Sequence, residues 1–444
     1  MAAYRVAGKN LRSMQVLHDN SLTLTTSGPV ARMMNVKRSR FAILGGGMVA
    51  GYAAKEMVER GLKPGELLIV SSENAVPYER PPLSKGFLAG KDDEEQIRIS
   101  PESFYREHGI ELELGSEVRR IDIAKNILSL QSGDGIAFEK LIIATGAAVK
   151  TLDFPGSTLP GIQYLRSLAD SKRIRDHAGD AKRAVVVGSG FIAMEVSSVL
   201  AQKGIETVMV VRDDRVFKKI FTAEMSHAFE TYFGARGVRF IKQSEVKEAR
   251  GEGRLASVVL GDGRILDCDL MVAGIGVQPL TRVAAESGID VADGVVVNEY
   301  LETGVPGIYA AGDVANYQDT LFGKRRRVEH WDNAVSQGKH CGGALMGERA
   351  PFVHVPYFFS DMFDLSYELW GDTSGAGEVI VRGDISSTSF SVWWLAGERL
   401  IAAFTMSRPD EERDAAPRWI ESKHRITAEG LKAAKFPASQ NGPT

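Results

Sequence analysis

Ala42-Ile43-Leu44-Gly45-Gly46-Gly47-Met48-Val49-Ala50-Gly51 decides the fold: an apolar run ends in packed glycines and opens into a helix-like segment over residues 52–60. This is the pattern of a strand, a phosphate loop and a helix. Gly45 suits the tight turn, Gly47 lets the backbone approach a pyrophosphate, and small Ala50 and Gly51 let the helix close on the sheet with its N-terminus towards the phosphate. A second strand, Leu67-Leu68-Ile69-Val70, runs out at Ser71-Ser72-Glu73, where the Glu73 carboxylate is placed to take both hydroxyls of a ribose.

The same plan continues and then recurs. Strand-like alternation over residues 111–114 and 126–130, a turn at Gly133-Asp134-Gly135 and a buried strand at Leu141-Ile142-Ile143 lead to Ala144-Thr145-Gly146. A second fingerprint, Val185-Val186-Val187-Gly188-Ser189-Gly190-Phe191-Ile192-Ala193, opens another helix. A strand at 207–211, a turn at Asp262-Gly263 and a closing strand at 270–273 with Gly274 and Gly276 follow it. Two tandem units of one supersecondary plan carry far more weight than one glycine loop, and each predicts one dinucleotide site. Beyond them, Ile308-Tyr309-Ala310-Ala311-Gly312-Asp313 reads as a strand ending in Gly-Asp. From residue 351 to about 419 the glycine grammar is lost, and strands are expected at 378–382, 389–394 and 400–406. From Glu421 the chain turns polar and reads as a loose tail.

The expected fold is therefore α/β: two Rossmann-like dinucleotide-binding domains of the three-layer ββα type, plus a C-terminal α+β domain. Residues 39–152 form the first domain, 153–277 the second, 325–420 the third and 421–444 the tail, and the resemblance given below implies that 278–324 return to the first, making it discontinuous in sequence. A length of 444 residues accommodates three domains, and the net charge of −3 gives no reason to expect nucleic acid. No uncharged apolar run reaches the roughly eighteen residues of an integral membrane segment. The two cysteines, Cys268 and Cys341, are far apart, so neither a disulfide framework nor a metal site is supported, and a reducing, cytoplasmic setting fits. The first 38 residues form an extension. Up to Arg40 the chain holds seven Lys and Arg against one acid, Asp19, which suits an organelle transit peptide and hence a matrix location. It equally suits a start site set too early, since Met33-Met34 stands just before the folded pattern.

Tyr78-Glu79-Arg80-Pro81-Pro82-Leu83-Ser84-Lys85, together with the two units and the late Ala-Gly-Asp strand, resembles the flavoprotein reductases with two dinucleotide-binding domains. The branch resembled holds apoptosis-inducing factor, the ferredoxin and rubredoxin reductases and monodehydroascorbate reductase. The likeness runs through Arg326-Arg327-Val328-Glu329-His330 and Phe363-Asp364-Leu365-Ser366, where it is nearest to monodehydroascorbate reductase. It implies FAD in the first unit, with Gly45, Gly47, Ala50 and Glu73 at the adenosine half, Arg80 and Lys85 along the flavin half, and Thr145, Gly146 and Asp313 completing the site. The second unit would hold the nicotinamide cofactor through Gly188, Gly190, Ala193 and Gly276. Lys85 and Glu195 would form the catalytic pair where hydride arrives. At the end of strand 207–211, Arg212 and Arg215 favour the 2'-phosphate of NADPH, while Asp213 favours NADH.

The resemblance leaves a homodimer open and implies an electron acceptor outside the chain, since no cysteine pair is available to take electrons. Glu329, His330, Trp331, Phe359 and Trp394 are the expected lining on the far side of the flavin, with Trp331 as the flavin contact. Three readings of the acceptor stand. A small radical or quinone follows from the nearest relatives, although plant enzymes carry Tyr-Ser-Arg where this chain has Phe359-Ser360-Asp361, which counts against the ascorbate radical. A small redox protein such as ferredoxin would use a basic rim at Lys324, Arg325, Arg326 and Arg327. A redox sensor with slow turnover, like apoptosis-inducing factor, is the third.

Overall fold

The first glycine loop closes the strand Phe41–Leu44, all of whose residues are buried. Strands buried on both faces must read as continuous apolar runs, and such strands occur in parallel sheets covered by helices. Phe41–Leu44 accordingly lies at the centre of a five-stranded parallel sheet. Lys140–Ile143 and Ile308–Ala310 lie on one side of it, Leu67–Val70 and Glu111–Glu113 on the other. The late strand thus returns to the first unit, bringing Asp313 with it. Residues 35–436 are described by the computed structural model.

The second unit repeats the arrangement. Arg183–Val187 is central, with Leu270–Ala273 and Ile162–Tyr164 to one side and Glu206–Val211 and Val238–Lys242 to the other, all parallel. Each parallel sheet has its own small antiparallel sheet, built on Val118–Asp122 and Ile127–Leu130 in the first unit and on Val246–Arg250, Ser257–Leu260 and Ile265–Asp267 in the second. With the helices these make the three layers. The two crossings between the units, Ala147–Val149 and Val277–Pro279, pair antiparallel as one ribbon.

The third domain is a five-stranded antiparallel sheet in the order Tyr357–Met362, Leu365–Gly371, Arg399–Met406, Phe390–Ala396 and Glu378–Gly383. The helix Trp331–Leu345 leads into it and crosses Met48–Glu59 at backbone contact. A Cβ added at Gly338 would lie 2.8 Å from the Val49 carbonyl, and one at Gly342 would lie 2.8 Å from that of Ala53. Only glycine permits this approach, which fixes Trp331, at the start of the second helix, against the phosphate-loop helix.

Two expected boundaries are corrected. The N-terminal extension ends before residue 36, because Val36–Arg38 adds a strand parallel to Gly135–Ala137. The polar stretch after Glu421 is not a loose tail as far as residue 436. Helix Ala428–Ala433 buries Leu431, and Phe436 stacks on Trp393 with centroids 5.6 Å apart. Arg382 donates to the carbonyls of Leu431, Lys432 and Ala434. A few spaced apolar residues suffice here because the sheet offers them Trp393 and the helix Asp410–Glu421 offers Trp419, a partnership that average polarity hides. The rest of the expected extension, residues 1–34, and the end of the tail, 437–444, lie outside the described residues. Among the described residues no helix is long and apolar enough to cross a membrane.

Candidate active site

At Gly45 the backbone turns with φ +122°, and an added Cβ would sit 2.1 Å from the Ala144 carbonyl oxygen. Gly188 repeats this in the second unit, with φ +140° and the Gly274 carbonyl 2.4 Å from the same notional atom. Gly47 and Gly190 cap the helices Met48–Glu59 and Phe191–Gln202 without any side-chain hydrogen bond, so the first-turn N–H groups of each helix point outward. Ala50 and Ala193 are buried on those helices, and Ala193 lies against Gly274. These are two anion-binding loops of one design.

Around the first loop runs a chain of alternating charge. Glu73 accepts from Arg80 Nη2 at 2.7 Å and from the Tyr78 hydroxyl at 2.5 Å. Arg80 also donates to the Arg166 carbonyl, and its Nη2 lies 3.7 Å from the Cβ that Gly47 lacks. Arg80 therefore stands over the phosphate loop beside Glu73, not beside Lys85. Arg166 itself pairs with Asp313 at 2.7 Å and passes within 3.2 Å of the Cβ position of Gly146. Arg166 was missed by the sequence reading. Its only signal is a cation two residues after the short strand Ile162–Tyr164, and its meaning depends on Asp313, which is distant in sequence. Thr145 Oγ1 donates to the Leu280 carbonyl, and Leu280 N donates to Gly146, so the Ala-Thr-Gly turn is strapped to the returning ribbon. Gly276 begins that ribbon with φ +99°.

Lys85 and Glu195 meet as expected. Lys85 Nζ lies 2.5 Å from Glu195 Oε1, with the two side chains 17% and 5% exposed. The same oxygen accepts from Ser360 Oγ at 2.5 Å, and Oε2 accepts from Ser84 Oγ. A buried carboxylate with three donors on it has its desolvation cost offset.

Beside the pair opens a cavity of about 500 Å³, lined among others by Pro81, Lys85, Trp331, Phe359, Asp361 and Phe363. The indole N–H of Trp331 donates to Glu79 at 2.5 Å, and its ring meets Phe359 edge-on at 5.6 Å. His330 lies against Phe358 at 4.3 Å, and its Nδ1 is buried without a protein partner. Burial, reinforced by the Lys85 charge, lowers its pKa to about 3, so the ring is neutral at physiological pH.

Three expectations fail. Glu329 is exposed and pairs with Arg327 instead of lining the cavity. Trp394 is 4% exposed and belongs to a hydrophobic core with Phe390 and Val392, four and two residues before it on the same face of a strand whose two faces are both buried. The basic rim is reduced, with Arg325 alone of its four cations lacking a carboxylate partner among the described residues. Lys324 and Arg326 pair with Asp372, Arg325 donates to the carbonyls of Val297 and Asn316, and Arg327 is spent on Asp293 and Glu329. Arg212 is exposed at the end of Glu206–Val211 and makes no hydrogen bond among the described residues. Its neighbour Arg215 contacts Asp214 at 3.5 Å.

Residues 39–338 match the family model for pyridine nucleotide-disulphide oxidoreductase, and residues 357–439 match the reductase C-terminal model. The chain is 35% identical over 411 residues to monodehydroascorbate reductase 4, peroxisomal, of Arabidopsis thaliana, covering 87% of this chain and 83% of that one. It is 33% identical to rhodocoxin reductase of Rhodococcus erythropolis, with 89% and 92% covered. Among solved structures, the ferredoxin reductase for the CYP199A2 system of Rhodopseudomonas palustris superposes with a TM-score of 0.86 at 32% identity, over 90% of this chain and 98% of that one.

Proposed function

The chain belongs to the pyridine nucleotide-disulphide oxidoreductase family, and from that premise we propose that it carries electrons from NADPH through FAD to a small radical or quinone held beside Lys85 and Trp331. It is an FAD-dependent NAD(P)H oxidoreductase with an external acceptor. The residues fit FAD. The glycine trough at Gly45 and Gly47 has Arg80 above it for a pyrophosphate, and Glu73 keeps lone pairs for ribose hydroxyls although Arg80 and Tyr78 already occupy it. Lys85, Asp313 and Trp331 would hold the ring end of the cofactor. When bound, FAD takes a hydride from the nicotinamide and passes electrons on singly.

The chain's own residues supply position and charge. Lys85, fixed by Glu195, presents a cation to the reducing site, where it stabilises negative charge. His330 is neutral at physiological pH and delivers no imidazolium proton there. Cys268 and Cys341 are both buried and free, and burial pushes the Cys268 thiol up to about 12, so neither takes part as a thiolate. Arg212, exposed with no hydrogen bond among the described residues, supports the choice of NADPH.

The observation that carries the acceptor reading is the cavity. About 500 Å³ suits a small molecule, its lining includes the rings of Trp331 and Phe359, its cations Lys85 and Lys91 are matched by the acids Glu79, Asp92 and Asp361, and Asp361 stands where the plant enzymes have arginine. A flat neutral acceptor fits these walls better than an anion. Delivery to a small redox protein, suggested by the rhodocoxin reductase and ferredoxin reductase relatives, is the second reading; the pairing of Lys324 to Arg327 counts against it. The test is anaerobic reoxidation of the reduced protein by a neutral quinone, by ascorbate radical and by a small iron–sulfur protein, in wild type and in Asp361→Arg. Quinone should react fastest with wild type, and Asp361→Arg should favour ascorbate radical. Rapid reoxidation by the iron–sulfur protein alone would replace this reading with the second. A long-lived reduced state with all three would make the protein a sensor.

A further inference from the structure

The strand Tyr357–Met362 faces two ways. Phe359 and Asp361 line the acceptor cavity, and the two-residue period of a strand turns Ser360 to the opposite side. There Ser360 is fully buried, and its hydroxyl donates to the same Glu195 oxygen that holds Lys85. Directly across the strand pair from Ser360 lies Tyr367, whose phenol is held above its ordinary pKa first by burial and then by the Glu195 charge. Glu195 belongs to the second dinucleotide domain, Ser84 and Lys85 to the first, and Ser360 to the third. One carboxylate therefore ties all three domains together, and the third domain holds it through a single hydroxyl.

We propose that Ser360 is a positioning residue for hydride transfer: its hydrogen bond fixes the Glu195 carboxylate, and through it Lys85, so the strand that shapes the acceptor cavity also sets the geometry of the reducing site. This rests on the reading of Lys85 and Glu195 as the place where hydride arrives. Its physical basis is the shared oxygen. Two donors on Oε1 restrain the carboxylate in plane, and Ser84 on Oε2 completes a fork. Without Ser360 the carboxylate can turn about its last bond while keeping one contact to Lys85, and the ammonium loses its fixed place in a site that tolerates little displacement. The hydroxyl touches no reacting atom, so its effect must pass through Glu195.

The test uses the FAD-loaded protein and four variants: Ser360→Ala, Ser84→Ala, Glu195→Ala and the double Ser360→Ala/Glu195→Ala. Ser360→Ala should keep its flavin content and lose only a little of its thermal midpoint, as a buried carboxylate gives up one of three donors, while flavin reduction at saturating NADPH slows about tenfold, the scale of one charge-assisted hydrogen bond. Binding of NADP+ should be unchanged. The long-wavelength absorbance that NADP+ induces in the photoreduced protein, which reports how the nicotinamide lies on the flavin, should weaken. Ser84→Ala, which frees the other oxygen from another domain, should do the same in milder form, and Ser360→Ala should add nothing once Glu195 is Ala. Wild-type rate and absorbance in Ser360→Ala would overturn the proposal. So would a loss of equal size in the Glu195→Ala background, or a loss confined to flavin content and thermal midpoint. A silent Glu195→Ala would remove the underlying reading of the pair as well, which separates the two failures.

Discussion

Removing one member of the Lys85–Glu195 pair should damage flavin reduction at least as much as removing both. The contact is 2.5 Å long and the side chains are 17% and 5% exposed, so little solvent screening applies. At an effective permittivity of about 20, Coulomb's law gives a gross attraction of about 7 kcal/mol at this distance, most of which offsets the desolvation of two charges. The asymmetry follows. The intact pair contributes little net stability, but deleting one partner strands the other charge at a cost of about 3–5 kcal/mol. If that strain falls wholly on the reducing step, Lys85→Met and Glu195→Ala each slow it between about a hundredfold and several thousandfold. The double variant strands no charge, so its loss should not exceed the larger single loss and should fall well short of the sum. The assay is the stopped-flow decay of oxidised flavin absorbance with excess NADPH, after equal flavin content has been shown in all four proteins. Two single losses that add, in free energy, in the double variant would refute a direct pair.

Three further outcomes are expected. Arg212→Ala should lower the specificity constant for NADPH about ten- to hundredfold and leave NADH nearly unchanged, the range of a charge-assisted phosphate contact; equal losses with both cofactors would make Arg212 structural. His330 has its pKa lowered from 6.5 to about 3 in the folded state, so between those values the unfolded chain binds the extra proton and stability falls as pH falls. Denaturant unfolding of wild type and His330→Asn should therefore agree above pH 7 in pH slope and diverge between pH 6 and 4, by up to about 1.4 kcal/mol per pH unit. Truncation after Glu421 should lower the thermal midpoint and raise proteolysis of the third domain, because it removes Leu431, Phe436 and three carbonyl partners of Arg382; an unchanged midpoint would show that this segment adds nothing.

The fold was legible where it is local. Glycine loops, the buried strands they terminate and the repetition of one plan are each set by neighbouring residues, so the two parallel sheets could be read in order, while the return of Asp313 to the first, a pairing of distant strands, came only from the family resemblance. The site was legible only in part, because its pairings join distant segments. Glu73 and Lys85 sit in marked stretches, but Arg166 gains its meaning from Asp313, and no periodicity links them. Glu329 and Trp394 were misplaced for different reasons: an arginine two residues before it draws the first outward, and the second shares a core face of its strand with Phe390 and Val392.

The stretch Phe359-Ser360-Asp361 shows most clearly what sequence reading leaves behind. Its outer residues stood out, because an aromatic without its hydroxyl and an acid in place of a cation are chemical departures that can be named without coordinates. The serine between them resembled any small strand residue. Yet strand alternation requires that if Phe359 and Asp361 face a cavity, Ser360 faces whatever lies behind it, and the structure puts the Glu195 carboxylate there. A buried hydroxyl needs a partner, and a buried carboxylate needs donors. Each therefore constrains the other more tightly than either is constrained by its own neighbours in sequence. Changing Phe359 or Asp361 to retune the acceptor would move the same strand, so variants of the cavity should be screened for their rate of flavin reduction as well as for their choice of acceptor.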